Sequence, residues 1–365
     1  MQGSGKLFAT DAAIFLAAFA LTALLVARTI GICRRQGWVA KPRANRWHRG
    51  TPSLFGGVPI WITCLGLSFL LIPRSDRLTW KLLAASSFVF LVGMADDIVH
   101  LRPRTKLAAE VLAGALIASW GAVYPLWHNV GVDVVVSVLW IVGITNAFNL
   151  LDNMDGLAAG AALIAAVYLA AFHGGSGSGD YNRLAVVLAG SAAGFLLFNF
   201  HPARIFMGDC GSLFLGFLLG SLTVLDVHRI SGAPTLPLAP VVVLAIPIFD
   251  TLFVSVTRRL RGQAVSEGGT DHSSHRLVYL GLNERNAVAL LLALSAISGV
   301  VALMARRLVY SQAIGVVGFW FLLLLVFGIY LFREETISLR QHKRRGALRQ
   351  GAPAKKALPC GNVEP

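Results

Sequence analysis

Charge is what this sequence has least of. Asp, Glu, Lys and Arg supply 14% of its 365 residues, and 56% are hydrophobic. A soluble globular domain carries roughly 25% charged residues, so a chain of this length could not cover a water-facing surface, and a soluble enzyme is excluded. Cysteine is also sparse. Cys33, Cys64, Cys210 and Cys360 are scattered without metal spacing, which leaves neither a zinc framework nor a disulfide scaffold. Long polar linkers are missing as well, and the stretch 173–180 (HGGSGSGD) reads as one flexible loop. No cleavable signal peptide is expected, because the first apolar run is too long and a basic stop-transfer segment follows it.

What the sequence does have is apolar runs of the length a helix needs to cross a bilayer, about 20 residues. They lie at 11–32, 54–73, 80–95, 107–123, 131–146, 156–173, 183–200, 209–225, 236–256, 287–305 and 311–332. The third is the weakest, being short and ending in two aspartates. The expected fold is an all-α integral membrane protein, a polytopic bundle of about eleven transmembrane helices. Its membrane domain takes residues 1–332, and a basic tail takes 333–365, expected to be disordered from its mix of charge, Gly and Pro.

The net charge of +14 does not point to nucleic acid, because of where the cations sit. With the N-terminus outside, the inside loops and tail hold 23 Lys and Arg, the outside segments hold 8, and Arg28 lies within the first span. This asymmetry is the positive-inside pattern and predicts an N-out, C-in orientation. Lys343, Arg344 and Arg345 in the tail then serve topology and attract anionic lipid.

The acids are distributed unevenly too. Outside loops carry single ones (Asp76, Asp133, Asp180, Asp226), whereas Asp96, Asp97, Asp152, Asp155, Asp209, Asp250 and Asp271 gather at inside helix ends. Ionisable groups at the hydrocarbon boundary are costly and point to function. Acids beside many cations on one membrane face describe a site for an anionic substrate with a metal.

Five clusters make up this face. Asp96-Asp97, with Arg104 and Lys106 downstream, would serve as a general base, as Mg2+ ligands, or simply as a solvated helix end. Asn146, Asn149, Asp152 and Asp155 recur every third position, on one face of a helix, and offer oxygen ligands or directional hydrogen bonds. Capping of the next helix by Asp152 or Asp155 is the plainer alternative. In FNFHPARIFMGDCGS, Asp209 sits between glycines at a helix start, where phosphate binds well and where an Asp needs a bridging cation. An N-cap role for Asp209 is again the plainer alternative, and Phe206 would stack on a flat base or pack in the membrane. In GGTDHSSHRL, His272, His275 and Arg276 suit phosphate better than zinc, since no third metal ligand follows. Finally, Lys41, Arg43, Arg46, His48 and Arg49 lead into GTPSLFGGVPI; topology accounts for the cations but not for Gly56-Gly57.

Taken in order, GTPSLFGGVPI, ADD with Lys106, NAFNLLDNMDG, FNFHPARIFMGDCGS and DHSSHRL resemble the polyprenyl-phosphate N-acetylhexosamine-1-phosphate transferases of glycosyltransferase family 4. The resemblance runs from about residue 40 to about 280. It implies a membrane enzyme that passes a HexNAc-1-phosphate, GlcNAc-1-phosphate first among them, from a UDP-sugar to undecaprenyl phosphate. UMP leaves and Mg2+ is required, with Mn2+ as a substitute. It implies Asp209 and Asn149 near the metal and diphosphate, Asp155 and Phe206 at the uracil, and Asp96 and Asp97 at the acceptor phosphate, one as base. Lys106, His272 and Arg276 would hold the diphosphate, and Asp152 matches a position whose role varies. A bacterial plasma-membrane location with a cytoplasmic active site, a homodimer as one allowed assembly, and no nucleic-acid partner complete the expectation. One departure is DHSSHRL itself, where Ser274 stands in place of a histidine of fuller HxHH arrangements. It favours the GlcNAc branch over the branch that uses UDP-MurNAc-pentapeptide. Asp250, inside its apolar run, is the feature that best fits a rival, a membrane transporter.

Overall fold

The computed structural model describes residues 2–40, 51–125, 127, 129–173, 179–230, 238–263, 269 and 271–350. Among these it is all helix: α1 (Gln2–Gln36), α2 (Gly57–Leu71), α3 (Arg77–Val99), α4 (Pro103–Ser119), α5 (Val130–Leu151), α6 (Leu157–His173), α7 (Gly179–Asn199), α8 (Gly208–Ile230), α9 (Ala239–Val243), α10 (Ala245–Leu260), α11 (Ser273–Tyr279), α12 (Glu284–Ala305) and α13 (Tyr310–Gln350). Each of the eleven apolar runs falls on one helix or helix pair. Seven helices are long and apolar enough to cross a membrane, and α2 and α6 are shorter apolar helices. Lys41, Arg43, Arg46, His48, Arg49 and Cys360 lie outside the described residues, as do the side chains of Asp226, Lys343, Arg344 and Arg345.

Two differences from the sequence expectation have physical causes. The third run is a full 23-residue helix, because its polar ends are capped rather than frayed. Asp76 accepts from the Thr79 N–H and, at 2.6 Å, from its hydroxyl, while His100 closes the other end in the left-handed region at φ 56°. The ninth run is not continuous. Pro247 has no N–H for the Val243 carbonyl four residues back, and its ring would strike that carbonyl; the helix stops at Val243 and restarts at Ala245.

The bundle is organised around α8, whose span 208–225 is 89% buried, against 28% for the spans of α1 and α13. It packs against α2, α3, α5 and α6. Outward-facing side chains include Leu139 at 66% and Leu325 at 58% exposure, a cost in water that lipid removes.

Because the spans alternate in direction, one end of the bundle collects the C-termini of α3, α5, α7 and α10 with the N-termini of α2, α4, α6, α8 and α12. Among the described residues, that acid-rich end carries four of the five clusters read from the sequence and the glycine pair of the fifth.

Candidate active site

The start of α8 is the centre of the site. Gly208, at φ +75°, opens the helix, and a side chain there would strike the Asp97 carboxylate. Asp97 accepts the N–H of Asp209 at 2.8 Å and of Cys210 at 3.0 Å. It thus caps α8 from a neighbouring helix. Asp209 is therefore not the N-cap, and the Asp97 carboxylate is engaged with the backbone at the start of α8.

Asp209 is thereby freed to face Lys106. The Lys106 ammonium lies 2.7 Å from Asp209 Oδ2 and 2.8 Å from Asp96 Oδ2. Asp96 Oδ1 also accepts the Leu101 N–H at 2.6 Å. Pro103 at the start of α4 sets the helical φ that points Lys106, one turn later, back at these acids. One ammonium between two carboxylates leaves a formal excess of negative charge in a half-exposed corner.

The glycine pair has a packing reason. Ser53 pairs with Arg204 and Phe206 through backbone hydrogen bonds, and the Gly56 and Gly57 N–H groups donate to the Phe206 and Met207 carbonyls at 2.8 and 2.9 Å. A Cβ on Gly57 would sit 2.4 Å from Gly211 Cα, and one on Gly56 would sit 2.6 Å from the Phe206 carbonyl. The pair lets α2 touch the backbone of α8. Phe206 is half-buried and its backbone is held in this pairing.

Asn146 and Asn149 lie in the last turns of α5. Asn149 donates to Ser212 Oγ of α8 at 3.0 Å. Asn146 donates to Glu110, which is 2% exposed, and to the Val142 carbonyl. Asp152 is the C-cap of α5, not the N-cap of α6. A carboxylate there opposes the helix dipole, an arrangement that costs a few tenths to 1 kcal/mol and so calls for a compensating role. Asp155 is turned inward, 5% exposed, and accepts from the Ala203 N–H at 2.9 Å with His201 Nδ1 at 3.2 Å. It holds the α7–α8 loop.

The DHSSHRL segment folds over the same end. Asp250 of α10 accepts from the Ser273 N–H at 2.8 Å, the Ser273 hydroxyl at 2.6 Å and His272 Nδ1 at 2.7 Å. A carboxylate only accepts, so Nδ1 carries the proton. Asp271 makes a two-pronged pair with Arg258, at 2.7 and 2.6 Å. Burial pushes the Asp271 carboxyl up, but the Arg258 guanidinium outweighs it and holds the group below the usual carboxylate range. Burial, with His272 second, holds the His275 imidazole down at about 4, so it is neutral at pH 7. Arg276 is 1% exposed, stacks over Phe253 at 4.4 Å and donates to the Asp271 carbonyl at 3.0 Å. It shapes the loop from beneath. The Ser274 hydroxyl donates to Asn153 Oδ1 at 2.6 Å and ties this loop to the one after α5.

The described parts of all five segments are therefore linked at one end: α3 to α4 and α8 through Lys106, α5 to α8 through Ser212, the α10–α12 loop to α5 through Asn153, and the start of α2 to the α7–α8 loop through Gly56 and Gly57. Sequence reasoning missed Glu110, Asn153, Ser212 and the role of Asp250. For Glu110 and Asp250 a signal existed, a lone acid inside an apolar helix. For Asn153 and Ser212 there was none, since such residues abound in loops and helix starts. Among the described residues, no three His, Cys, Asp or Glu side chains converge as a closed metal cage. The oxygen donors of Asp96, Asp209 and Asn149 fit Mg2+, which takes one or two carboxylates and completes its shell with water and substrate phosphate.

Comparison with known proteins bears on the same segments. The family described as Glycosyl transferase family 4 matches residues 79–226, from α3 into α8. A Bacillus subtilis protein named "Probable undecaprenyl-phosphate N-acetylglucosaminyl 1-phosphate transferase" is 30% identical over 335 residues, 86% of this chain and 88% of that protein. The decaprenyl-phosphate N-acetylglucosaminephosphotransferase of Mycolicibacterium smegmatis is 32% identical, covering 70% of this chain and 72% of its own length. The phospho-N-acetylmuramoyl-pentapeptide-transferase of Moorella thermoacetica is 37% identical over 50% of this chain and 64% of its own.

Proposed function

The chain belongs to glycosyl transferase family 4, and from that membership we propose that it transfers a HexNAc-1-phosphate, specifically GlcNAc-1-phosphate, from a UDP-sugar to undecaprenyl phosphate, with UMP as the leaving group. It is an enzyme of the membrane, a phosphotransferase acting on a polyprenyl phosphate. The observation that carries the reading is the Lys106 ammonium held between Asp96 and Asp209 at the start of α8. GlcNAc is favoured over the pentapeptide sugar because the GlcNAc-transferring relative from Bacillus subtilis spans 86% of this chain and the pentapeptide relative spans 50%.

In the reaction an oxygen of the lipid phosphate bonds to the β-phosphorus of the UDP-sugar. The bond from that phosphorus to the bridging oxygen breaks, and UMP takes the electron pair. A phosphate monoester has its second pKa near 6, so the acceptor is already a dianion at neutral pH and needs little help from a base. The task left to the protein is to bring two anions together. Lys106 supplies fixed positive charge, and the N–H groups at the start of α8 add the helix dipole. Bound Mg2+, held by Asp96, Asp209 and Asn149, would neutralise charge on the diphosphate oxygens. The buried His272–Asp250 pair and Ser274 keep the last loop over this corner. The positive-inside distribution supports a site on the cytoplasmic face of the plasma membrane, where UDP-sugars are made and where a prenyl tail can stay in the bilayer while its phosphate reaches the site.

The test is purified protein with undecaprenyl phosphate and separate UDP-GlcNAc, UDP-GalNAc and UDP-MurNAc-pentapeptide donors, with the lipid product identified by mass. UMP release and a GlcNAc-diphospho-lipid are expected. Asp209→Ala should lower Mg2+-dependent UMP release by about a thousandfold while membrane insertion is unchanged. Wild-type turnover in that variant would remove Asp209 from the mechanism, and a chain that moves substrate without releasing UMP would be a transporter.

A further inference from the structure

The opposite end of the bundle carries a second charged feature that the transfer reaction does not use. The end of α2 and the start of α3 enclose a shallow cleft of about 400 Å³ lined by Phe69, Arg74, Arg77, Trp80 and Lys81. Three of its five lining residues are cations and none is an acid. The nearest carboxylate in sequence, Asp76, is committed to Thr79. Among the described residues, Arg74, Arg77 and Lys81 form no ion pair, whereas Arg183 close by is paired with Asp180 at 2.9 Å.

The cleft is also held in shape. The Arg74 guanidinium lies 4.6 Å over the Phe69 ring and the Lys81 ammonium 5.1 Å over Trp120. Trp80 donates to the Pro73 carbonyl at 3.2 Å and meets Phe69 edge-on at 6.1 Å. Arg183 donates to the Leu71 carbonyl at 3.2 Å, which fixes the end of α2. Aromatic rings and cations at helix ends sit at headgroup depth in a bilayer.

Further along α3 than the cleft, toward the bilayer core, Phe88 is 39% and Leu91 56% exposed, apolar side chains along which acyl chains can lie. Topology makes the cations harder to explain away. This end of the bundle is the one where cations are scarce, with Lys6, Arg74, Arg77, Lys81, Arg183, Arg229, Arg306 and Arg307 as its full set. Three of those eight crowd one cleft, against their mutual repulsion.

We propose that this cleft binds the phosphodiester headgroup of an anionic phospholipid in the leaflet opposite the candidate active site. The three cations attract a net negative headgroup and can share its phosphate oxygens, the rings suit the glycerol region, and the exposed flank suits the chains. A zwitterionic headgroup is disfavoured because its own cation would face the same three positive groups. The site stands apart from the reading of the reaction, since no residue is shared between them.

The experiment uses full-length protein in neutral detergent, titrated with phosphatidylglycerol or phosphatidylcholine, with bound lipid counted by native mass spectrometry. Phosphatidylglycerol should bind at least tenfold more tightly. A juxtamembrane cation strengthens attraction to anionic lipid about fivefold, so R74Q/R77Q/K81Q should lower phosphatidylglycerol affinity by up to about a hundredfold and leave phosphatidylcholine unchanged. R74K/R77K should keep the preference. If the triple variant does not fold, Arg77→Gln alone, which breaks neither stacking contact, should cost about fivefold. Equal affinity for the two lipids in the wild type, or an undiminished preference in the folded triple or single variant, would overturn the proposal.

Discussion

Two corners at the acid-rich end are built from the same materials, carboxylates facing cations, and they are finished differently. In one, Lys106 with a side chain 20% exposed serves both Asp96 at 14% and Asp209 at 30%. In the other, Asp250 at 1% faces His272 at 5%, and Arg258 at 4% faces Asp271 at 15%. The buried corner pairs each acid with its own cationic or imidazole partner and fills the remaining lone pairs from Ser273. Lone buried charges are too costly to leave unpaired. The open corner has two acids for one cation and access to solvent, so it can take a further cation and an anionic ligand. Similar residue chemistry makes a frame where it is complete and a reactive site where it is left incomplete.

The largest break in this comparison is Lys106→Gln. It removes the one cation serving both acids, and turnover should fall by about 10²- to 10³-fold, while the melting temperature in detergent moves less than turnover because all three side chains keep access to solvent. A large loss of thermal stability instead would make Lys106 part of the frame. Asp250→Asn should behave in the opposite sense. It keeps the shape but mismatches His272 and leaves a buried donor poorly served, at a cost of about 1–3 kcal/mol of stability, and activity should fall in parallel with the melting temperature. Turnover lost at unchanged stability would move Asp250 among the reacting groups.

How much of this was legible beforehand depends on the kind of signal. The eleven apolar runs were readable because hydropathy averages over many residues, and the break in the ninth was readable in principle from Pro247. The gathering of acids at one end followed from loop alternation alone. Lys106 lies between Asp96 and Asp209, and Asn149 reaches Ser212 of the same helix start; it is the resemblance, not the spacing, that implies a shared site for these residues. What the sequence did not disclose was which acid does what. Asp96 and Asp97 are neighbours with the same side chain, yet one faces Lys106 and the other caps α8; only the packing of α3 against α8 decides that. Arg276 reads as a phosphate ligand in DHSSHRL, and nothing in the sequence signals that its guanidinium lies over Phe253. Topology leaves the glycine pair unexplained, and its constraint is the approach of Gly57 to Gly211.

A pH titration sharpens the contrast from the buried side. His275 is held at about 4 in the folded protein, against about 6.5 for an ordinary histidine. Between those values the unfolded chain takes up a proton that the folded chain does not. The contribution of His275 to stability should therefore fall as pH drops from 6.5 to 4, by up to about 3 kcal/mol, and that contribution levels off below. His275→Gln should flatten that window. Asp271 acts lower down: its folded value is depressed by Arg258, so the stability it contributes is present above the ordinary carboxylate value near 3.9 and is lost as pH falls through its own lower value. A melting temperature that holds steady from pH 6.5 to 4 in the wild type would show that His275 is not buried as a neutral ring.

The smallest expected effect comes from Ser274→Ala, and it probes the seam between the two corners. Ser274 is fully buried, and its 2.6 Å bond to Asn153 joins the closed loop to the segment that leads back through α5 to Asn149 and the open corner. Asn153 keeps its second bond, to the Leu150 carbonyl, so the fold should survive. The loss should be about 1 kcal/mol and a few-fold in turnover, seen in KM more than in kcat, because the loop is loosened and no charge is removed. Ser274→His, which restores the ring found in fuller HxHH arrangements, has no such room and should do more harm than alanine. If the histidine variant were instead as active as the wild type, the seam would have slack, and the two corners would be independent rather than parts of one site.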